Sequence, residues 1–341
     1  MPRAVALFSG SLDSTLAVRI VERQGFAVHA LYVCTLSDEG RQRAEQAAAG
    51  LGIALSVLPL ADDYLDLVRR PRFGYGRGMN PCIDCRIYMC RMAKGLMDQL
   101  GAEIVVSGEV LGQRPMSQRR PDLLAIAKHS GLQDRLLRPL SAQLLPPTLA
   151  ETRGQVDRAQ LYAFNGAGRK PLLALARQLG LRDLRPPSAG CMLADRAVAA
   201  RVRDLLQYQP DASRWDFELA RGGRHIRYDA ATKIVLGRRA EEDQWLQAMA
   251  GQEHRTAAAL LTPANFRGPT ALVVGAVDDA AVQFAGALML QRSHDADAAH
   301  ALAMLTVAGQ TRVIRIEAQA AAASATSIGD DHPGQESRNA R

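Results

Sequence analysis

Ser9-Gly10-Ser11-Leu12-Asp13-Ser14 is the stretch that decides the fold of the first half of this chain. It follows the apolar run 4–8 and precedes apolar positions at 16–18 and 20–21, whose spacing suits one face of a helix. The sequence therefore predicts a strand that turns sharply into a helix. In that geometry small residues let backbone N–H groups approach an anion, and the positive end of the helix dipole adds to the attraction. We expect a phosphate-binding loop here.

This loop does not carry the Lys of a Walker loop, G-x-x-x-x-G-K-[ST]. It resembles the S-G-G-x-D-S loop of the PP-loop ATP pyrophosphatases, which adenylate a carbonyl oxygen and release pyrophosphate, but Ser11 stands in place of the second Gly. If this position needs a positive φ, Ser11 is strained; if it does not, the hydroxyl adds a donor to phosphate. The alternative interpretation is an ordinary turn in which Ser and Asp cap the helix.

The composition indicates a soluble, cytoplasmic protein of about two domains. The chain has 341 residues, 48% of them apolar, with no apolar run long enough to span a membrane and no secretory pattern at its start. The formal net charge of +7 favours a polyanionic partner such as a nucleic acid. An aromatic content of only 5% argues against a surface built to stack single-stranded bases.

Strand and helix patterns alternate through the first half of the chain. We expect strands at 28–34, 53–60, 103–108 and 136–140, and helices at 41–50, after Cys85, and at about 155–164 and 171–180. Such alternation predicts an α/β fold with a parallel, Rossmann-like sheet covered by helices on both faces. Ligands in such sheets bind beyond the carboxyl ends of the strands, where the loop of residues 9–14 would lie.

The second half predicts a smaller α+β module. We interpret Leu205–Pro210 as a linker, with a domain boundary near 200, and the segments 217–227 and 233–237 as a hairpin. Helices are expected at 240–250 and 279–291, and strands at 270–275 and 312–316. The expected division is a nucleotide-binding domain at 1–195, the α+β module at 205–317 and a disordered tail at 318–341.

The five cysteines indicate thiol or metal chemistry rather than a disulfide framework, because their number is odd and no export signal precedes them. Cys82 and Cys85 form a C-x-x-C after a Gly-rich, basic loop, and Cys191 follows Gly190 in a turn at 186–191. Cys34 and Cys90 are interpreted as small core residues.

The segment Asn80–Arg86, followed by Gly101–Glu109, resembles the N-P-C-x-x-C-N … G-A-D-x-x-A-T-G-H pattern of the tRNA 2-thiouridylases. The C-x-x-C with a distant third Cys is also similar to the tRNA 2-thiocytidine synthetases. Both groups are PP-loop enzymes, and the resemblance extends over roughly the first 195 residues. It implies a fold like that of the adenine nucleotide alpha hydrolases. The chain departs from the thiouridylase pattern at Arg86, in place of Asn, and at Glu109, in place of His.

This resemblance implies an ATP-dependent tRNA sulfurtransferase. ATP would adenylate the carbonyl oxygen of a tRNA base, and sulfur would then displace the activated oxygen. The triphosphate would be bound by the loop, and Asp13 would also help to hold Mg²⁺. The implied nucleotide-binding residues are Ser9, Gly10, Ser11, Asp13 and Ser14.

The resemblance implies two routes for the sulfur. In the 2-thiouridylase route Cys191 would carry a persulfide, and Cys85 would form a disulfide with it or act as an acid. In the 2-thiocytidine route Cys82, Cys85 and Cys191 would hold a [4Fe–4S] cluster with one iron free to bind sulfide. A cysteine desulfurase or a sulfur carrier would supply the sulfur. Both routes need Cys85 and Cys191.

Two basic segments are candidates for contact with tRNA. The first carries Arg114, Arg119 and Arg120, and its alternative interpretation is a solvated basic loop. The second carries Arg224 and Arg238, where cations of this kind would position an RNA without reading its sequence. The run from Lys233 to Asp243 is similar to the I-x-V-G-R-N-x-x-E-N pattern of the RNA-associated domain of NFACT proteins, without its Asn residues.

Two other classes of function remain open at this stage. The chain could be a PP-loop amidoligase or small-molecule sulfur transferase whose basic segments are incidental. It could also be an RNA-binding accessory protein in which the loop, altered at Ser11, no longer turns ATP over.

Overall fold

The structure is a computed structural model that describes residues 1–36, 40–181, 190–252, 256–293 and 295–329. Residues 9–14, the predicted phosphate loop, follow the central strand of a parallel sheet. The sheet has five strands in the order β3-β2-β1-β4-β5. All its pairs are parallel, and Leu7 at the end of β1 lies opposite Leu31 and Ser107. The strands are β1 (Arg3–Leu7), β2 (Ala27–Val33), β3 (Ala54–Leu58), β4 (Ile104–Ser107) and β5 (Leu136–Leu137). The expected Rossmann-like fold is confirmed.

Helices cover both faces of this sheet because successive residues of the buried strands point to opposite sides. Val106 packs with α1, α2 and α7 in one core, while Val105 packs with α4 and α5 in the other. The helices are α1 (Leu12–Arg23), α2 (Arg41–Leu51), α3 (Asp62–Arg69), α4 (Cys82–Leu100), α5 (Arg120–His129), α6 (Leu149–Thr152) and α7 (Lys170–Gln178).

The strand order reverses between β1 and β4. The chain runs outward from β1 through β2 to β3, and then returns to the other side of β1 to form β4 and β5. The connections that leave the carboxyl ends of β1 and β4 therefore depart in opposite directions and open a crevice between them. The loop of residues 9–14 lies on one side of that crevice, and the segment that begins at Gly108 lies on the other.

The chain folds into two units, residues 1–191 and 192–341. The second unit is built on a six-stranded antiparallel sheet in the order β11-β10-β8-β9-β7-β6. Its elements are α8 (Arg196–Tyr208), α9 (Arg214–Leu219), β6 (Arg224–Arg227), β7 (Thr232–Leu236), α10 (Ala240–Gly251), β8 (Ala258–Pro263), β9 (Ala271–Gly275), α11 (Asp279–Leu290), β10 (Leu302–Val307), β11 (Gln310–Arg315) and α12 (Ala320–Ala323). Helices α9 and α10 pack against one face of the sheet, and α11 packs against the other.

Several sequence-based expectations need correction. The proposed linker 205–210 begins inside α8, whose residues Val202 and Leu205 are buried. The segment from Phe217 is the end of helix α9 rather than a strand, and the helix expected at 155–164 is only a short 3₁₀ turn, Arg158–Gln160. Strands β8 and β10 were missed because their sequences, AALLTP and LAMLTV, contain few of the β-branched and aromatic residues that mark a strand.

The tail is ordered further than expected. Helix α12 buries Ala322 against α11, and the backbone N–H of Ile328 donates to the carbonyl of His225 at 2.8 Å. The expectation of disorder from residue 318 is therefore wrong as far as residue 329. Residues 330–341, and residues 186–189 of the expected turn before Cys191, lie outside the described residues.

Within the described ranges, no helix is both long and apolar enough to cross a membrane.

Candidate active site

The backbone conformation of the loop after β1 requires glycine at position 10. Gly10 has φ of 65°, and a Cβ at this position would lie 2.7 Å from the carbonyl oxygen of Arg43. Only glycine fits both constraints. Ser11, in contrast, is extended, with φ of −79° and ψ of 161°. The replacement of the family's second Gly by Ser11 therefore causes no backbone strain.

Three hydroxyl groups converge in this loop. The Ser9 hydroxyl donates to that of Ser11 at 2.9 Å, and the Ser14 hydroxyl donates to the Ser11 carbonyl at 3.0 Å. The Ser11 side chain does not cap α1, so it takes up none of the first-turn N–H groups of that helix. Hydroxyl donors and uncapped amides at a helix N-terminus suit a phosphate chain. The five predicted nucleotide-binding residues are thus placed together.

Gly108, the residue after β4, lies directly against the backbone of Asp13 and Ser14. A Cβ on Gly108 would lie 2.5 Å from the carbonyl carbon and oxygen of Asp13 and 2.6 Å from the nitrogen of Ser14. The two sides of the crevice therefore touch at backbone level, and any side chain at position 108 would separate them.

The Asp13 carboxylate faces the segment after β4. The Gln113 amide donates to it at 3.2 Å. Burial raises the pKa of Asp13, while the Gln113 hydrogen bond and the charges of Arg169 and Arg114 act in the opposite direction. A carboxylate with cationic neighbours beside a phosphate loop can take part in holding Mg²⁺ together with phosphate oxygens. Arg169 was not predicted, because a single Arg before a helix carries no pattern that marks it.

The C-x-x-C lies in the first turn of α4, which begins at Cys82. The Asn80 amide nitrogen lies 3.0 Å from the Cys82 sulfur, and the Tyr64 hydroxyl lies 3.5 Å from the Cys85 sulfur. A helix N-terminus and hydrogen-bond donors both stabilise a thiolate. Burial nevertheless raises the pKa of Cys85, although Tyr64 and Arg86 lower it.

Tyr64 connects all three candidate thiols. Burial and the charges of Cys85, Cys191 and Cys82 raise the pKa of Tyr64 well above its usual value. The Cys85 sulfur contacts the Tyr64 hydroxyl, and the charges of Cys82 and Cys191 also act on it, although Cys191 is over a hundred residues away in the sequence. Cys191 is exposed, whereas Cys82 and Cys85 are half-buried. Tyr64 was missed because it is one apolar-face residue of a short helix that was not predicted.

Arg114 is influenced by charges from both the phosphate loop and the C-x-x-C. Burial and the charge of Arg86 lower the pKa of Arg114, and the charges of Asp13 and Cys82 oppose that shift. One guanidinium thus lies within electrostatic range of both the phosphate loop and the C-x-x-C. The two predicted centres therefore act on one guanidinium, although α1 and α4 cover opposite faces of the sheet.

The buried carboxylate of Glu109 forms ion pairs with Arg138 and with Arg86, which lies near the start of α4. The Glu109 carboxylate is 2.9 Å from the Arg138 Nε and 3.7 Å from the Arg86 Nε, and it accepts a hydrogen bond from the Ser107 hydroxyl at 3.0 Å. Burial acts to raise the pKa of Glu109, but Arg138 and Arg86 outweigh it and lower that pKa. The buried carboxylate is therefore charged.

The three cysteines as placed do not form a metal site. In the part of the chain that the structure describes, no three His, Cys, Asp or Glu side chains are grouped so that they could hold a metal ion. The donor set needed for a [4Fe–4S] cluster is therefore not preassembled. Cys34 and Cys90 are buried in the two cores, and burial raises the pKa of Cys90 to about 12.

The predicted RNA-contacting arginines are not equivalent. Arg119 is paired with Asp122 at 2.9 Å, and Arg120 donates to the Leu144 carbonyl at 2.9 Å. Arg238 is paired with Glu242 at 2.8 Å. Arg224 begins β6, and Arg114 belongs to the thiol and phosphate site described above. The structure therefore divides these residues between the two units.

Residues 2–143 match the family model described as thiamine biosynthesis protein (ThiI). This match lies within the first unit. Residues 223–327 match the family model described as NFACT protein RNA binding domain, which contains the NFACT-like run recognised in the sequence.

Curated proteins are similar to part of the chain. The tRNA-specific 2-thiouridylase MnmA of Sulfurimonas denitrificans is 30% identical over 113 residues, which are 30% of this chain and 33% of that protein. A probable tRNA sulfurtransferase of Methanothermobacter thermautotrophicus is 29% identical over 147 residues, which are 40% of this chain and 36% of that protein. The chain spans about a third of the length of the curated relatives it matches.

Solved structures resemble the chain at low identity. A 4-thiouridine synthetase in complex with RNA and ATP has a TM-score of 0.40 at 18% identity, covering 57% of this chain and 45% of that one. The C-terminal part of a fibronectin/fibrinogen-binding protein from Streptococcus suis has a TM-score of 0.25 at 10% identity, covering 45% of this chain and 70% of that one.

Proposed function

We propose that this protein is an ATP-dependent tRNA sulfurtransferase. The observation that carries the proposal is the convergence of a phosphate loop with three thiols beside the same crevice. The segment after β4 contacts both: Gln113 donates to Asp13 at 3.2 Å, and Glu109 lies 3.7 Å from Arg86, the residue after Cys85. The Tyr64 hydroxyl lies 3.5 Å from the Cys85 sulfur, and the charges of Cys82 and Cys191 also act on it. An enzyme that activates an oxygen with ATP and then replaces it with sulfur needs its nucleotide and its sulfur in one place.

The first step is adenylation. The carbonyl oxygen of a tRNA base attacks the α-phosphorus of ATP, the α–β phosphoanhydride bond breaks, and pyrophosphate leaves. The loop amides and the hydroxyls of Ser9, Ser11 and Ser14 bind the phosphates. Asp13 would help to hold Mg²⁺, which would supply positive charge for the leaving pyrophosphate.

Sulfur transfer then uses Cys191 and Cys85. The terminal sulfur of a persulfide on Cys191 attacks the activated base carbon, and AMP leaves with the former carbonyl oxygen. The Cys85 thiolate next attacks the Cys191 sulfur, which releases the thione and forms a Cys85–Cys191 disulfide. A thiol reductant restores both cysteines, and a cysteine desulfurase or a sulfur carrier reloads Cys191. The hydrogen bond from Tyr64 holds the Cys85 sulfur for this attack.

The exposure of Cys191 favours the persulfide route, because a sulfur donor protein must reach the residue that it loads. An iron–sulfur route would instead require the three cysteines to move closer together than they lie here. Anaerobic purification followed by iron and sulfide analysis separates the two routes. Stoichiometric iron and acid-labile sulfide would contradict the persulfide mechanism.

The direct test of the function uses the full-length protein with ATP, Mg²⁺, a thiol reductant, unmodified tRNA, and a cysteine desulfurase with free cysteine as the source of persulfide sulfur. Thionucleosides are measured by mass spectrometry, and pyrophosphate release is measured in parallel. We expect Asp13→Asn to abolish both, and Cys191→Ser to abolish thionucleoside formation only. Asp66→Asn, which alters an exposed surface pair with Arg69, is the matched control.

Retained pyrophosphate release in Asp13→Asn would contradict the assignment of the loop. Pyrophosphate release that depends on a small molecule rather than on tRNA would instead identify another PP-loop activity. In a deletion strain, the loss of one thionucleoside from total tRNA would name the modified base.

A further inference from the structure

Cys82 is a thiol that the sulfur transfer described above does not use. It is the first residue of α4, it is half-buried, and Cys85 follows it three residues later in the same helix. Residues three apart lie on one face of a helix, with their Cα atoms about 5 Å apart. A disulfide joins Cα atoms that are about 4.4 to 6.8 Å apart. The backbone of this turn is therefore compatible with a disulfide between Cys82 and Cys85.

The buried side chain of Asn80 holds the Cys82 sulfur. The Asn80 amide nitrogen lies 3.0 Å from that sulfur, and the amide oxygen accepts the backbone N–H of Gly78 at 2.8 Å. Because the oxygen is occupied by a donor, the NH₂ group must face the sulfur. A Cβ on Gly76 would lie 2.7 Å from the Asn80 amide nitrogen, so glycine at 76 leaves room for this amide. Cys82 is thus held by an oriented donor, unlike Cys90, which packs in the core.

The turn that carries both cysteines is fixed from inside the C-x-x-C. The carboxylate of the buried Asp84 accepts the backbone N–H groups of Arg72 at 3.2 Å and Phe73 at 2.9 Å. The Tyr64 hydroxyl lies 3.5 Å from the Cys85 sulfur. Each of the two sulfurs therefore has its own hydrogen-bond donor, on a turn that the preceding loop holds in place.

The proposed sulfur transfer leaves a thiol to be regenerated. It ends with a Cys85–Cys191 disulfide, and Cys191 cannot accept another sulfur until that bond breaks. An external thiol can break it only in a bimolecular reaction. A thiol on the same helical turn as Cys85 acts at a far higher effective concentration.

We propose that Cys82 is the resolving cysteine of this protein. Its thiolate, formed by loss of a proton to water, attacks the Cys85 sulfur, the Cys85–Cys191 bond breaks, and Cys191 leaves as a thiolate. The exposed Cys191 is then free to be reloaded. The new Cys82–Cys85 disulfide is later reduced to two thiols by a thiol reductant, so the reductant of the proposed cycle acts at this bond. The proposal rests on the proposed function for its starting disulfide.

The first test oxidises the full-length protein with diamide, without ATP or tRNA. Acid quenching, alkylation and tryptic digestion without reduction are followed by mass spectrometry. Cys82 and Cys85 lie in one tryptic peptide, residues 78–86, and Cys191 lies in another. In the unsubstituted protein we expect a disulfide within peptide 78–86 and an alkylated Cys191. In Cys82→Ser we expect a cross-link between the two peptides.

The second test follows thionucleoside formation with a cysteine desulfurase, free cysteine, ATP, Mg²⁺ and a limiting thiol reductant. With protein in excess over tRNA, Cys82→Ser should form its first thionucleoside at the unsubstituted rate. With tRNA in excess, turnover should fall about tenfold, because an external thiol replaces one held on the same turn. A large excess of reductant should restore turnover, which it would not do for a folding defect. Cys90→Ala, which removes another thiol of α4, is the control and should turn over normally.

An oxidised unsubstituted protein that joins Cys85 to Cys191 and leaves Cys82 alkylated would overturn the proposal. Equal turnover of Cys82→Ser and Cys90→Ala at limiting reductant would also overturn it. If no protein forms a thionucleoside, the proposed function fails, and the peptide map still decides whether Cys82 takes Cys85 from Cys191. The two proposals are therefore judged separately.

Discussion

The Arg86 guanidinium lies 3.7 Å from the Glu109 carboxylate, across the gap between the first turn of α4 and the end of β4. These are the two positions at which the chain departs from the thiouridylase pattern. In this chain they carry opposite charges that face each other, and Arg138 lies closer to the same carboxylate, at 2.9 Å. The pair, with Arg138, joins the helix that carries the C-x-x-C to the crevice that would hold the nucleotide.

Glu109→Gln is expected to destabilise the first unit by about 3 to 5 kcal/mol, because it leaves Arg138 buried without its counter-charge. Hydrogen exchange of peptides from α4 and β4, together with urea unfolding followed by circular dichroism, measures this. Glu45→Gln, in an exposed pair with Arg41, is the control and should cost about 0.3 to 0.5 kcal/mol. Equal protection of α4 in both variants would contradict the role given to Glu109.

Acid should remove the stabilisation from Glu109. Its pKa in the folded protein lies below the ordinary value of 4.5, so the stabilisation is complete above pH 4.5 and is lost as the pH falls through the folded pKa. The free energy of unfolding of the unsubstituted protein and that of Glu109→Gln should therefore converge in acid. A constant difference down to low pH would show that the carboxylate is not the source of the effect.

Lys233→Met is expected to stabilise the second unit near neutral pH. Lys233 is 4% exposed, and burial, with the charge of Arg227, lowers its pKa from 10.5 to about 8. Below pH 8 the fold must keep a buried cation, which costs up to about 3 kcal/mol for a shift of this size.

The sign of the pH dependence follows from proton binding. Between pH 8 and 10.5 the unfolded chain binds the Lys233 proton and the folded chain does not, so stability rises with pH over this range. Unfolding followed by tryptophan fluorescence should show that rise in the unsubstituted protein and not in Lys233→Met. A rise of equal size in both proteins would assign it to other groups.

Gly108→Ala is expected to weaken ATP binding at least tenfold, about 1.4 kcal/mol. The new methyl group would lie 2.5 Å from the Asp13 backbone and would push the phosphate loop away from β4. Calorimetric titration with a non-hydrolysable ATP analogue and Mg²⁺ measures the change. Gly95→Ala is the control, since nothing lies within 4 Å of its Cβ; it should bind normally and gain about 0.5 to 1 kcal/mol of stability.

Alkylation by iodoacetamide should follow the order Cys191, then Cys85, with Cys90 unmodified in the native protein. Cys191 is exposed, burial raises the pKa of Cys85, and the pKa of Cys90 is about 12. Peptide mass spectrometry over time measures each site.

Tyr64→Phe should slow alkylation of Cys85 further, because it removes the hydroxyl that favours the Cys85 thiolate. Tyr88→Phe is the matched control, since the Tyr88 ring packs edge-on against that of Tyr64 while its hydroxyl donates to Asp63. Faster labelling of Cys85 in Tyr64→Phe than in Tyr88→Phe would contradict the hydrogen bond.

Local pattern was sufficient to predict the parallel sheet and the strand that turns into a helix at residues 9–14, whereas the pairing of the C-x-x-C with a late cysteine was implied by the resemblance to tRNA thiolation enzymes. Apolar runs bounded by turns specify strands, and a small-residue turn into a helix specifies an anion site, so these features depend on neighbours in the chain. The same reasoning failed for β8, β10 and the segment after residue 318. Their order comes from packing against α11 and the rest of the sheet rather than from their own propensity.

Only the tertiary structure decided which residues meet. Tyr64 reaches Cys85 from another helix, and Arg86 pairs with Glu109 across the crevice. Each contact joins residues far apart in sequence, where spacing carries no information about distance. The sequence by itself determined the chemistry that this protein can offer, and the fold determined which of those groups act together, because charge and hydrogen bonding depend on distance in space.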